Sequence, residues 1–189
     1  MVEKIRSFIA VDVPEEIRAG VDPVLSDLSS LGRELKVVRR ENLHFTVKFL
    51  GNISPEMLEP VKDCIRSGSQ GLGFEMDIRG LGAFPNSRKP RVVWIGANCQ
   101  GNEFVEMARE IDRELGKLGF DRERSYVPHL TVARSRNRGG SARAAELIGK
   151  MGDISLGRMV VDGISLKKSV LTPGGPVYSD LAVIGKGGQ

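Results

Sequence analysis

The chain has two histidines, and each is followed two residues later by a threonine: His44-Phe45-Thr46-Val47 and His129-Leu130-Thr131-Val132. The only other threonine is Thr172. In a β-strand, residues i and i+2 face the same side. The spacing therefore puts His44 and Thr46 on one face and turns Phe45 and Val47 toward a core. His129 and Thr131 repeat this against Leu130 and Val132. If the two strands lie side by side, two imidazoles and two hydroxyls surround one small polar cavity.

That set fits phosphoryl chemistry without a metal. Imidazole titrates near neutral pH, so one ring can act as base while the other acts as acid. Displacement at phosphorus is in-line, and two opposed histidines match the attacking and leaving positions. Hydroxyls can donate to the non-bridging oxygens as charge develops. The alternative is that both histidines are structural or solvated strand residues. A zinc site is the poorer reading, because no carboxylates or cysteines flank the histidines at ligand spacing. No nucleophile elbow and no P-loop are visible.

Two further residues are candidates for holding substrate. Lys48 shares the face of His44 and Thr46 by the two-residue rule, so it is expected at a bound phosphate or, alternatively, as a solvated strand-end lysine. Arg134 points away from His129 by strict alternation and reaches the cavity only if the strand twists or bulges. Arg134, Arg136, Arg138 and Arg143 form a basic segment able to track an RNA backbone or simply to be solvated.

The elements that must position these residues come next. Residues 5–13 read as a mostly buried strand. Pro14 opens a helix with Ile17, Val21, Val24, Leu25 and Leu28 at helical spacing, ended by Gly32. Strands are expected at 35–38 and 43–50. Ser54 and Pro55 suit the cap and first position of a helix running to Arg66. Strands at 73–84 and 91–98 follow, then a helix at 102–118 closed by Gly119. The remainder reads as a strand at 127–134, a basic loop RSRNRGG, a short helix at 141–150, and strands at 153–162, 163–171 and 177–184. Pro173 to Pro176 make the last turn. The expected fold is α+β, of antiparallel sheets with helices packed outside, in two lobes that carry one H-x-T motif each.

The bulk properties agree. A chain of 189 residues, 40% hydrophobic and 28% charged, is an ordinary globular composition. The 28 Lys and Arg against 24 Asp and Glu suit a polyanionic ligand. Cys64 and Cys99 make no metal spacing and read as reduced cytosolic thiols. No signal-peptide pattern and no membrane-length apolar run is present, so a cytoplasmic protein is expected.

The paired motifs resemble those of the 2H phosphoesterase superfamily. More narrowly, the chain resembles the RNA 2′,3′-cyclic phosphodiesterases, also named 2′-5′ RNA ligases. The likeness includes Arg6-Ser7-Phe8-Ile9-Ala10, then ENLHFTVKFLGN at 41–52, GAFPNSRKPRVVWIG at 82–96, SYVPHLTVAR at 125–134 and LTPGGPVYSDL at 171–181. It implies a bilobal α+β fold of two antiparallel sheets with helices outside, pseudo-two-fold symmetry and a central cleft, with residues 1–189 as a single domain of two interleaved lobes. It implies hydrolysis of a terminal 2′,3′-cyclic phosphate to a 2′-phosphomonoester. It implies that His44 donates a proton to the leaving 3′-oxygen and His129 accepts one from water. Thr46 and Thr131 would hold the phosphate, and family members often have a basic residue at the position of Arg134. The same opening of the cyclic phosphate with a ribose hydroxyl in place of water would be 2′-5′ ligation, a reversible transesterification. The expected partner is RNA with a cyclic-phosphate end, tRNA fragments included. The expected protein is a monomer without cofactor or metal. Two other readings are a noncatalytic RNA- or nucleotide-binding module of the same fold, and a 2H enzyme acting on a small cyclic nucleotide.

Overall fold

A computed structural model describes residues 4–185. The expected domain's ends, 1–3 and 186–189, lie outside the described residues. The chain runs β1 (Ile5–Asp12), α1 (Glu15–Ser30), β2 (Leu35–Val37), β3 (His44–Ile53), α2 (Leu58–Gly68), β4 (Phe74–Phe84), β5 (Val92–Asn98), α3 (Glu103–Gly116), β6 (His129–Ser135), α4 (Arg138–Met151), β7 (Ser155–Val161), β8 (Gly163–Thr172) and β9 (Gly175–Gly185).

Hydrogen bonding follows the order β7-β4-β5-β6-β3-β1-β8-β9, with β2 also on β6, and the pairings are antiparallel. The expected two sheets are thus halves of one path, and their join is narrow. Between β3 and β6 only Phe45 and Leu130 are directly paired among the described residues. Beyond that point β6 pairs instead with β2, Lys36 facing Arg134 and Val37 facing Ala133. The lobes are interleaved along the chain. One half-sheet combines β1 and β3 with the C-terminal β8 and β9; the other combines β4 and β5 with β6 and β7.

Each helix buries the stripe its spacing dictates. In α1 the buried residues are Ile17, Val21, Val24, Leu25 and Leu28, and Gly32, at φ +91°, turns the chain out of it. In α3 they are Phe104, Met107, Ala108, Ile111 and Leu115, joined by the charged Asp112. Helices α2 and α3 pack on each other, with α3 against β3; α1 reaches β7, β2 and β6, and α4 reaches β4 and β6. Every helix therefore lies outside the sheet, with an apolar core between.

Two local expectations need correction. Helix α4 begins at Arg138, so Arg138 to Gly140 are its first turn and not loop. Asn137 is its cap: its side-chain oxygen accepts from the Gly140 N–H at 2.9 Å. The Ser54 side chain caps nothing; a 3₁₀ turn, Pro55–Met57, leads into α2 instead. Among the described residues, no helix is long and apolar enough to cross a membrane.

Candidate active site

Continuing the Phe45–Leu130 register by one residue each way sets His44 opposite Thr131 and Thr46 opposite His129. The paired Phe45 and Leu130 are both fully buried, so the two histidines and two threonines project together from the other face. On such a face, directly opposed side chains start about 5 Å apart and diagonal ones about 7–8 Å apart. The histidines are the diagonal pair. All four line one cavity of about 360 Å³. The H-x-T residues that the sequence singles out are thus brought together.

Each imidazole is held in the same way. His44 Nδ1 lies 2.7 Å from the carbonyl of Asn42, and His129 Nδ1 lies 2.7 Å from the carbonyl of Val127. A carbonyl only accepts, so Nδ1 carries the proton in both rings. Each Nε2 is thereby left for the cavity, as a lone pair when the ring is neutral and as a donor when it is charged. His44 Nε2 is 3.1 Å from Thr46 Oγ1. The rings are also flanked alike by aromatic pairs. Phe8 and Tyr178 lie 4.9 and 5.4 Å from His44, centroid to centroid. Phe84 and Trp94 lie 5.0 and 6.4 Å from His129. Trp94 fits because Gly82 faces it across the β4–β5 pair; a Cβ on Gly82 would come within 2.3 Å of the indole.

Burial sets the charge state of His44. Burial lowers the pKa of His44 to about 4, and Lys167 nearby adds to the fall, while the Asn42 carbonyl and Asp12 oppose it. Lys167 is itself buried and paired with Asp12 at 2.8 Å and Asp180 at 2.5 Å. The Tyr178 phenol is pushed up by burial and stays neutral.

The next residues along each strand show where simple alternation fails. In β3, Ala10 pairs with Thr46 but Ile9 pairs with Lys48, so Val47 is an extra residue. In β6, Trp94 pairs with Thr131 but Val93 pairs with Ala133, so Val132 is an extra residue. Each is a β-bulge at the valine after the threonine, and each flips the side chains beyond it. Lys48 is therefore turned out of the cavity, against expectation. It is 4% exposed and its ammonium lies 2.6 Å from Asp112 Oδ1 and 2.6 Å from the Asp121 carbonyl. The fifth residue after each histidine turns inward instead: Phe49 in one half, Arg134 in the other. Arg134 thus reaches the cavity by the bulge that the expectation required.

Several lining residues escaped sequence reasoning. Lys36 and Arg39 arrive through the β2–β6 pairing, with Lys36 directly opposite Arg134. Arg136 follows on the same edge. The β8–β9 turn leans over the cavity, held by Arg39 Nη2 to the Gly174 carbonyl at 2.8 Å and by Asn42 Nδ2 to the Pro176 carbonyl at 2.9 Å. Phe49 alone had an available signal, as the counterpart of Arg134 five residues after a histidine. Among the described residues, no carboxylate lines the cavity. Among the described residues, no three His, Cys, Asp or Glu side chains gather as a metal-holding group.

Comparison with known proteins agrees with this duplicated arrangement. The family model described as LigT like Phosphoesterase matches twice, over residues 11–94 and 95–178, with one H-x-T motif in each segment. An RNA 2′,3′-cyclic phosphodiesterase of Methanothermobacter thermautotrophicus is 42% identical over 95% of this chain and 98% of its own. The protein of the same name from Archaeoglobus fulgidus is 40% identical over 94% of this chain and 98% of its own. The crystal structure of TT0787 of Thermus thermophilus superposes with a TM-score of 0.78, at 28% identity, covering 98% of this chain and 100% of that one. With both halves matched, each carrying its histidine and threonine on a bulged strand, the chain belongs to the LigT-like phosphoesterase family.

Proposed function

We propose that this protein is an RNA 2′,3′-cyclic phosphodiesterase that opens a terminal cyclic phosphate to a 2′-phosphomonoester by acid–base catalysis from His44 and His129. The observation that carries this is the mirrored pair: two imidazoles, each fixed at Nδ1 by a carbonyl two residues upstream, with both Nε2 atoms left for one cavity. A phosphorus between diagonal side chains has one ring on the side of attack and the other on the side of departure. The 40–42% identity to relatives named for this activity supports the same reading.

In the proposed reaction His129 Nε2 takes a proton from water as its oxygen bonds to phosphorus. The bond from phosphorus to the 3′-oxygen breaks, and His44 Nε2 supplies that oxygen with a proton. The 2′-ester bond is kept. Thr46 and Thr131 donate to the non-bridging oxygens, and Arg134 offsets their charge. Lys36 directly opposite Arg134 is a like-charge pair that an empty cleft leaves unfavourable and a phosphate relieves. Lys48 takes no part at the phosphate. No step calls on a metal, and a chelator titration with this substrate tests that feature. With a ribose hydroxyl in place of water, the same groups act in the same sense: His129 takes the hydroxyl proton as its oxygen bonds to phosphorus, the 3′-oxygen leaves with a proton from His44, and a 2′-5′ linkage forms. RNA ends of this kind, tRNA fragments among them, are the proposed substrates.

The lowered pKa of His44 bears on its role. A ring that is neutral in the free protein must gain a proton as the anionic phosphate enters before it can donate one. Without that uptake the two histidines exchange roles, His44 serving as base. The decisive experiment is incubation with an oligonucleotide ending in a 2′,3′-cyclic phosphate, followed by identification of the product isomer. A 2′-phosphate is expected; a 3′-phosphate or no product sinks the assignment.

A further inference from the structure

A second depression, of about 850 Å³, meets the catalytic cavity at Arg136. Five cations line it: Arg88, Lys89, Arg91, Arg136 and Arg138. All five are exposed, no carboxylate lines the depression, and none of the five makes an ion pair among the described residues. The nearby Glu34 carboxylate is directed to Arg143, at 3.4 Å.

These cations come from two segments far apart in the chain, 88–91 and 136–138, that are stitched together. The Ser135 N–H donates to the Arg91 carbonyl at 2.9 Å, and its hydroxyl donates to the Pro90 carbonyl at 2.8 Å. Asn86 Oδ1 accepts from the N–H groups of Arg88 and Lys89, both at 3.1 Å, which orders the PNSRKP loop. The Asn137 cap fixes the start of α4, whose first residue is Arg138. Backbone ordering is therefore complete before any ligand arrives, so binding does not have to supply it.

We infer that this groove holds the phosphodiester backbone of the RNA leading up to the reacting end, which makes the substrate a polynucleotide and not a mononucleotide. The inference rests on the proposed reaction at the cavity. A 2′,3′-cyclic phosphate terminates its strand, so the rest of the RNA leaves the cavity in one direction, toward its 5′ end. The depressions that border the cavity differ in charge. Among the described residues, the one past Arg136 is lined by five cations and no carboxylate, whereas the one at Phe49 and Tyr178 has Arg6 alone. The one at Asn42 and His44 sets Arg18 and Lys167 against Asp12, Glu41 and Asp180, and the one at Thr46 and His129 sets Lys48 against Glu123. Successive phosphates are drawn to the exit past Arg136, and they relieve the mutual repulsion of its cations. An acidic protein would find the same charge, but continuity with the cavity through Arg136 favours the strand already anchored there.

The test compares kcat/KM for a 2′,3′-cyclic mononucleotide with that for oligonucleotides of increasing length sharing the same terminal nucleotide. The proteins are the wild type and the exposed double variant Arg88→Gln/Arg138→Gln. The expected result is that kcat/KM rises with length in the wild type. The variant loses about tenfold on the long substrates at low salt and nothing on the mononucleotide. Its salt dependence for long RNA should weaken by about 0.7 in log–log slope for each phosphate contact removed. A wild type indifferent to length overturns the inference, as does a variant equal to wild type or one equally impaired on both substrates. Fluorescence anisotropy with the same RNAs separates the two readings. If the wild type turns over nothing, the reaction is misassigned, and the groove stands or falls on whether the variant binds long RNA more weakly.

Discussion

Lys48 of β3 and Asp112 of α3 form an ion pair, 2.6 Å apart, with side chains 4% and 1% exposed. Asp112 also accepts from the Tyr126 hydroxyl at 2.6 Å, the Glu123 N–H at 3.2 Å and Arg122 at 3.1 Å. The pair therefore joins the strand that carries His44 to the segment that ends in the Val127 carbonyl, which orients His129.

Lys48→Ala should lower the unfolding free energy by about 3–5 kcal/mol, because it leaves a buried carboxylate without its main counter-charge. Urea denaturation measures this, and a loss below about 1 kcal/mol would show that the pair is not structural. The pH dependence has a definite sign. Burial disfavours ionised Asp112, but hydrogen bonds from Lys48, Tyr126 and Glu123 outweigh it, so its folded pKa lies below the ordinary value. Its stabilisation is present above the unfolded carboxylate pKa of about 4 and is lost as pH falls through the folded value. The variant should therefore unfold at a higher pH than the wild type on acidification.

His44→Ala and His129→Ala should each reduce turnover of a cyclic-phosphate RNA by about 10²–10⁴, the usual size for a general acid or base. Both rings are half-buried at the cavity wall, so the variants should remain folded. Wild-type turnover in either would remove that histidine from the mechanism.

Binding of the cyclic diester should draw a proton onto His44. Calorimetric titration at pH 7 in buffers of different ionisation enthalpy reads this directly. A His129→Ala background, without turnover, keeps the diester intact. Since His44 is neutral above about pH 4 in the free protein, uptake should approach one proton and vanish when His44→Ala is added. Absence of uptake in the single variant would reverse the two histidine roles.

Thr46→Val and Thr131→Val keep side-chain shape and remove only the hydroxyl. Each should lower kcat by about 10² through loss of a donor to the developing phosphate charge, and Thr→Ser at either position should restore most of it. If Val and Ser variants behave alike at a position, that hydroxyl is not a phosphate ligand.

Much of this molecule was legible in the order of its residues. The α1 and α3 stripes, the strand positions and the duplicated H-x-T units follow from periodicities of 3.6 and 2, which act over a few neighbouring residues. Alternation was reliable up to the threonine of each motif. One residue later it misplaced Lys48, and it left Arg134 dependent on a bulge. The bulges at Val47 and Val132 come from pairing with β1 and β5, and register belongs to two strands together. The first turn of α4 was hidden because Arg138-Gly139-Gly140 has weak helical propensity, which the Asn137 cap offsets.

By itself, then, the sequence determined which groups are offered for the proposed chemistry: two imidazoles, each with a hydroxyl on the same face of an apolar-backed strand. Covalent spacing along one strand is enough to decide that. Only the tertiary structure decided that the two strands meet at Phe45 and Leu130, that Lys36, Arg39 and the β8–β9 turn close over the cavity, and that burial beside Phe8 and Tyr178 holds His44 neutral. Those features depend on groups far apart in sequence sharing one low-dielectric space, and that proximity exists only once the chain has folded.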